Sequence, residues 1–117
     1  MPLSPDQVVH ERNCKRFLLR LEDDTSCTDD EKVSYARLDY EIIKDDLLDL
    51  YYTEVPAKSR GKGIGAILAE GAFKILLRDF SEGTKFKLSC SYLRKFMKNT
   101  LAFSESEKRR FIMDDCS

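Results

Sequence analysis

The sequence predicts one α/β (α+β) domain in which helices cover a mostly antiparallel sheet. Up to about residue 53 the apolar residues alternate and the connections are turn-length, as in an antiparallel meander. A glycine-rich loop follows, and the apolar period then changes from two to 3.6. A last strand and a second helix complete the chain of 117 residues, a length that fits a single domain.

The first half of the chain consists of predicted strands. Phe17, Leu19 and Leu21 fall on one face of an alternating segment, which is typical of a half-buried strand. The same reasoning predicts strands at residues 8–9, 16–21, 36–42 and 47–53, a polar hairpin loop at 22–31 and a turn at 44–46.

The second half alternates between helices and one strand. After Pro56, Glu70 and Lys74 stand at the favourable i,i+4 spacing on the outer face of a helix that residues 81–83 end. Its apolar stripe comprises Ile64, Ile67, Leu68, Gly71, Ala72, Ile75 and Leu76. A last strand at 85–90 places Phe86, Leu88 and Cys90 on one face, and a second helix has Tyr92, Leu93, Phe96 and Met97 as its apolar side. Residues 104–107 predict a capping box for a final helix, and residues 114–117 a frayed end.

Charge is distributed unevenly along the chain. Residues 1–50 hold 7 basic and 13 acidic side chains, whereas residues 51–117 hold 13 basic and 8 acidic ones. The basic half contains the glycine loop, as expected if it binds a polyanionic ligand; chance asymmetry in a small protein is the alternative. No apolar run approaches the ~18 residues of a membrane span, and the N-terminal residues lack the pattern of a signal peptide.

The cysteines and the histidine argue against a metal site. Cys14, Cys27, Cys90 and Cys116 are widely spaced and form no CxxC motif, so reduced thiols in the cytoplasm are expected rather than disulfides or bound zinc. His10 is the single histidine, which disfavours a histidine-based metal cluster or a Ser/His/Asp triad.

The segment Arg60-Gly61-Lys62-Gly63-Ile64-Gly65 predicts a phosphate-binding loop. Glycines let the backbone approach a ligand closely, and the helix N-terminus that follows offers free N–H groups and the positive end of its dipole. No GxxxxGK[ST] P-loop exists in the chain. The GxGxxA dinucleotide pattern is satisfied, but a Pro-containing loop precedes it and only about 50 residues follow, too few for that fold.

The loop resembles the pyrophosphate loop of the GNAT acetyltransferase superfamily, Arg-x-x-Gly-x-Gly. Together with Thr53-Glu54-Val55-Pro56 before it, and with Leu68-Ala69 and Leu88-Ser89-Cys90-Ser91-Tyr92 after it, the segment is similar to compact YjdJ-type members. The resemblance covers roughly residues 8–99 and leaves residues 100–117 as a helical or frayed tail. It implies a minimal GNAT fold that binds acetyl-CoA in a gap between the strand before the loop and the strand after the helix.

The resemblance also implies how the cofactor is held. Val55 and Pro56 would flank the pantetheine arm, and the backbone N–H groups of residues 61–65 would hold the pyrophosphate. Lys62 adds charge to this loop. On the second helix, Lys95, with its neighbours Arg94 and Lys98, could meet the nucleotide phosphate, a solvated helix face being the alternative.

Cys90 is the candidate nucleophile, because it ends a strand where a helix begins and a helix N-terminus stabilises a thiolate. Such a thiolate could take the acetyl group from CoA and pass it on, and the resemblance places the active-site cysteine of the family at Cys90. A small buried core cysteine is the alternative. The resemblance also implies that Tyr92 protonates the departing CoA thiolate; an aromatic anchor of the second helix in the core is the alternative.

Tyr52 departs from the family pattern, which commonly has a histidine before Thr53-Glu54-Val55-Pro56. If that histidine is a base, its role passes in this chain to Glu54 or to a water, since a phenol is protonated at neutral pH. A solvated strand carboxylate is the alternative interpretation of Glu54.

The sequence says little about the molecule that accepts the acetyl group. Larger GNAT enzymes enclose the acceptor with two early helices, which the predicted strands of residues 1–50 do not supply. An open cleft suits an unidentified amine, whether a small molecule, a peptide end or a protein lysine. We therefore predict acetyl transfer to an amine through a cysteine acyl intermediate; the alternative is a non-catalytic acyl-CoA-binding or interaction module. Nucleic acid is a disfavoured partner because the basic residues are scattered, and no membrane partner is expected.

Overall fold

A computed structural model describes the protein over residues 4–21, 34–57, 61 and 63–112. The strands are β1 (Val9–Glu11), β2 (Arg16–Leu21), β3 (Ser34–Lys44), β4 (Leu47–Glu54), β5 (Lys85–Leu88) and β6 (Phe111–Ile112). The helices are α1 (Ile64–Asp79), α2 (Ser91–Asn99) and α3 (Glu105–Lys108), with 3₁₀ turns at Pro5–Gln7 and Arg12–Cys14. Within these residues, no helix is long and apolar enough to cross a bilayer.

One six-stranded sheet runs in the order β1-β2-β3-β4-β5-β6. The first three pairings are antiparallel, whereas β4–β5 and β5–β6 are parallel. The mixed α/β architecture and the antiparallel first half are therefore confirmed. The predicted hairpin loop at 22–31 and the frayed end at 114–117 lie outside the described residues.

Helix α1 packs on one face of the sheet and forms the centre of the core. The predicted stripe is buried or half-buried, and the Glu70–Lys74 ion pair forms at 2.9 Å. The stripe is wider than predicted, because Ala69 and Phe73 are also fully buried. The Phe73 ring lies 5.9 Å from Phe96 of α2 and 4.7 Å from Phe111 of β6, centroid to centroid. A second layer of chain therefore covers the side of α1 that a simple amphipathic helix would expose.

The C-terminal segment closes this second layer. The predicted capping box is present at α3, where Ser104 Oγ accepts from the Glu107 N–H at 3.2 Å and the Ser104 N–H donates to Glu107 Oε1 at 2.8 Å. The strand predicted at 85–90 ends at Leu88, and the short strand β6 was not predicted, because two residues are too few to show a period. Phe103 and Phe111 are buried, so residues up to 112 pack on the domain.

A β-bulge in β4 decides which side chains reach which side of the sheet. Tyr40 pairs with Leu50 and Asp39 with Tyr52, which leaves Tyr51 as an extra residue in β4. An extra residue reverses the alternation of side chains between the two faces. Thr53 consequently lies opposite buried Leu38, on the face that carries the helices. Tyr52 and Glu54 lie on the other face, opposite Asp39 and Arg37.

Candidate functional site

The candidate site is a cleft where β4 and β5 separate. The two strands pair in parallel only as far as Leu50 and Leu88, after which β4 continues to Glu54 while the other chain turns into α2. The N–H groups of Ser89 and Cys90 both donate to the Leu50 carbonyl, at 3.0 and 3.2 Å, and fix the point of separation. A cavity of about 560 Å³ opens there. Its walls are Tyr52, Thr53, Glu54, Val55, Gly61, Gly63, Ile64, Gly65 and Tyr92.

The glycine loop forms one wall through its backbone. Gly61 has φ +86° and Gly63 has φ +76°, conformations that favour glycine, and a Cβ at either position would meet nothing within 4 Å. Gly63 is the N-cap of α1 and, having no side chain, offers no acceptor to the N–H groups of the first turn. Donors of this kind, at the positive end of a 16-residue helix, suit a phosphate. Arg60 and Lys62 lie outside the described residues.

Gly65 is a glycine because a side chain there would collide with Tyr92, and not because of its backbone conformation. A Cβ there would lie 2.7 Å from the Tyr92 hydroxyl oxygen and 2.9 Å from Tyr92 Cζ. The Tyr92 ring therefore packs directly against the first turn of α1, and its hydroxyl reaches the glycine loop. Burial, and then the neighbouring charge of Cys90, raise the pKa of Tyr92 above its ordinary value of 10.0. Tyr92 thus holds its proton at neutral pH, as a proton donor must.

Cys90 lies at the point where β5 passes into α2. It is the N-cap residue of α2, so the thiol stands at the positive end of a helix dipole, as the sequence predicts. Its Sγ lies 3.4 Å from Thr53 Oγ1, across the gap between the strands. Cys90 is a free, half-buried thiol, and it lies behind Thr53 rather than in the wall of the cavity itself.

Tyr52 and Glu54 occupy the mouth of the cleft on the outer face of the sheet. The Arg37 guanidinium lies 5.4 Å above the Tyr52 ring and 3.4 Å from Glu54 Oε1, and it also bonds Asp39 at 3.1 Å. Burial is the largest single influence on the pKa of Arg37 and lowers it. Asp39 and then Glu54 together outweigh burial, so the pKa of Arg37 is raised overall. Glu54 therefore faces the cavity as a carboxylate already paired with a cation.

The other residues that the sequence predicts to contact the cofactor do not all border this cavity. Val55 lines the cavity, whereas Pro56 does not. Lys95 lies instead at a second cavity of about 380 Å³, which also touches Tyr92, Phe96, Asn99 and Thr100. Arg94, which the sequence also suggested as a phosphate contact, donates to the carbonyl oxygens of Leu88 and Ser89 at 3.0 and 2.9 Å and so ties α2 to the end of β5.

Sequence reasoning missed Arg37 and assigned no separate role to Thr53. Arg37 appears in the sequence only as a polar residue between Ala36 and Leu38, which marks an outward-facing side chain and nothing more. Its contact with Glu54 depends on the register of β3 with β4, including the bulge, and the sequence does not reveal that register.

The chain matches the family model described as GCN5-related N-acetyl-transferase over residues 24–105. It is also similar to Protein NATD1 from several vertebrates. Identity is 36% to the Gallus gallus protein and 35% to the Homo sapiens protein, each over 80% of this chain and over 76% and 74% of the relative, respectively. The Xenopus tropicalis protein is 35% identical over 83% of this chain and 79% of its own length. The match spans the cleft, the glycine loop and both helices beside them, and the chain belongs to the GCN5-related N-acetyltransferase family.

Proposed function

We propose that the protein binds acetyl-CoA and transfers its acetyl group to an amine. The observation that carries this proposal is a cleft lined by a positive-φ glycine loop at a helix N-terminus and by a protonated tyrosine, with a thiol in contact with the wall residue Thr53. We also propose that the protein is of the compact YjdJ type. In this proposal the acetyl-CoA-binding unit lies within residues 8–99, and the segment after it completes the core.

The residues of the cleft fit a CoA thioester. The open space beside Gly61 and Gly63 leaves room for a pyrophosphate against the backbone, and Val55 offers an apolar wall to a pantetheine arm. Arg60 and Lys62 would add positive charge, and Lys95 at the second cavity is available to a nucleotide phosphate. Acetyl-CoA supplies an activated acetyl thioester when bound.

Cys90 acts in this proposal as the acyl carrier. As a thiolate, its sulfur attacks the thioester carbonyl; a carbon–sulfur bond to Cys90 forms as the bond to the CoA sulfur breaks. Tyr92 donates its phenolic proton to the departing thiolate and recovers one from solvent. The acceptor nitrogen then attacks the acetyl group on Cys90, and the Cys90 thiolate leaves.

Glu54 accepts the proton that the acceptor amine loses. It borders the cavity, and Tyr52 in the position before Thr53 is no substitute as a base. The half-exposed Arg37–Glu54 pair is worth at most about 1 kcal/mol, so an incoming ammonium group can compete for the carboxylate. That ammonium releases one proton to solvent before its nitrogen attacks, and Glu54 accepts the second. The reactive thiol of this scheme favours a reducing compartment such as the cytoplasm.

The test combines binding and turnover. Acetyl-CoA is titrated into the protein by calorimetry, and CoA release is followed with spermidine, a lysine-containing peptide and a peptide N-terminus as acceptors. Intact-mass analysis after acetyl-CoA alone should show one added acetyl group, absent in Cys90→Ala. Wild-type turnover by Cys90→Ala would overturn the covalent route, and absence of saturable binding would overturn the whole proposal.

A non-catalytic acyl-CoA-binding module is the second candidate. Two observations favour it: Glu54 is already paired with Arg37, and Cys90 lies behind Thr53. It predicts saturable acetyl-CoA binding with no acetyl group on Cys90 and no CoA release with any of the three acceptors.

A further inference from the structure

The bulge in β4 places a hydroxyl on the cysteine side of the sheet. Uninterrupted alternation from buried Leu50 would send Thr53 to the opposite face, with Tyr51. Because Tyr51 is the extra residue, Thr53 shares the face of Leu50 and borders the cavity. The bulge therefore has a specific consequence at the site, because it decides which face of the sheet carries the Thr53 hydroxyl.

The backbone holds Cys90 against this hydroxyl. Its N–H donates to the Leu50 carbonyl at 3.2 Å, three residues before Thr53 along β4. From there the side chain spans the gap, and Sγ meets Thr53 Oγ1 at 3.4 Å. Both residues are half-buried, so the contact is partly shielded from water. Replacing this contact by hydrogen bonds to water is therefore less favourable than it would be at an exposed pair.

We propose that Thr53 is a positioning residue that donates a hydrogen bond to the Cys90 thiolate. With the neutral thiol, either group can be the donor; with the thiolate, only the hydroxyl has a proton to give. A hydrogen bond to an ion is about twice as strong as one between neutral groups, so the contact favours the ionised sulfur. It also holds the sulfur beside the cavity wall that Thr53 forms. The inference rests on the proposed function, since it explains how Cys90 becomes its nucleophile.

The test is the pH profile of Cys90 alkylation by iodoacetamide, followed by peptide mass spectrometry so that Cys14, Cys27 and Cys116 are scored separately. Thr53→Val keeps the shape and removes the hydroxyl. We expect its midpoint to move up by about one pH unit and its rate at lower pH to fall about tenfold. Thr53→Ser, which keeps the hydroxyl, should restore the wild-type profile.

Matched controls separate this effect from general packing. Thr84→Val removes the hydroxyl of a buried threonine, one that contacts Ser81 at 3.2 Å, and should leave the Cys90 profile unchanged. Thr53→Ala gives a second variant without the hydroxyl, with a smaller side chain, and should match Thr53→Val. Wild-type profiles in both hydroxyl-free variants, or a Thr53→Ser profile like that of Thr53→Val, would overturn the inference. Alkylation requires neither acetyl-CoA nor an acceptor, so its outcome is separate from that of the binding and turnover test.

Discussion

Replacing Gly63 tests whether the glycine loop holds a phosphate through its backbone. Gly63 has φ +76°, and a Cβ there meets nothing within 4 Å, so a substitution strains the backbone without creating a clash. A left-handed conformation costs an L-residue roughly 1–2 kcal/mol. This strain lowers stability if the loop keeps its shape. It weakens binding instead if the loop relaxes and the ligand must restore it.

The two effects of Gly63→Ala should therefore sum to about 1–2 kcal/mol. If all of it falls on binding, the Kd for acetyl-CoA rises about 5- to 30-fold. Gly63→Asn should lose less, because asparagine tolerates the left-handed region, and Gly63→Val should lose more, because a β-branched residue is a genuine outlier there. Calorimetric titration measures the Kd for acetyl-CoA, and urea unfolding measures the free energy of unfolding.

Gly83→Ala is the matched control for this series. Gly83 also has open space around its missing Cβ, but its φ is not positive, and it lies in the turn before β5. Both alanine variants lose about the same unfolded-chain entropy, roughly 0.4–1 kcal/mol, so the difference between them isolates the strain. If Gly63→Val retained both the wild-type Kd and the wild-type unfolding free energy, the loop would not be holding a phosphate in this conformation.

Three further predictions concern the core. Gly71→Ala should lower the unfolding free energy by roughly 1–3 kcal/mol, because its Cβ would lie 2.5 Å from the Pro5 backbone oxygen; an unchanged urea midpoint would contradict this. Burial, and then Arg12, lower the pKa of His10 below 6.5, so the unfolded chain binds more protons than the folded one at mildly acidic pH. The contribution of the neutral His10 imidazole to the free energy of unfolding should be complete above pH 6.5 and be lost as the pH falls through the folded pKa. In urea titrations at several pH values, His10→Gln should reduce this pH dependence. Phe111→Ala should cost about 3–5 kcal/mol in thermal or urea unfolding; a loss under 1 kcal/mol would mean that β6 lies outside the cooperative core.

The sequence predicts the glycine loop, α1 and the start of α2 because their signals are local. Closely spaced glycines and a 3.6-residue period can be recognised within a few turns of chain. The full width of the buried face of α1 cannot, because Phe73 is buried by Phe103 and Phe111, which lie thirty or more residues away.

The bulge at Tyr51 is the feature, not predicted from the sequence, that has the largest effect on the site. Leu48, Leu50 and Tyr52 alternate without interruption, so the pattern places Tyr52 with the core and Thr53 on the opposite face. The register with β3 decides otherwise, and a register is a property of two strands. The Thr53–Cys90 contact and the Arg37–Glu54 pair both follow from this one extra residue.

The two sides of the cleft therefore differ in physical kind. The wall proposed for the cofactor is built from backbone, from glycines and a helix end, and most side-chain changes around it would leave the donors in place. The wall proposed for the acceptor is built from cross-strand side-chain contacts at Tyr52, Glu54 and Arg37, each of which a single substitution removes. The proposed binding of acetyl-CoA should therefore be less sensitive to side-chain substitution than the proposed transfer. The proposed base, the half-exposed Glu54 carboxylate shared with Arg37, makes the charge of the acceptor the first property on which the proposed turnover should depend.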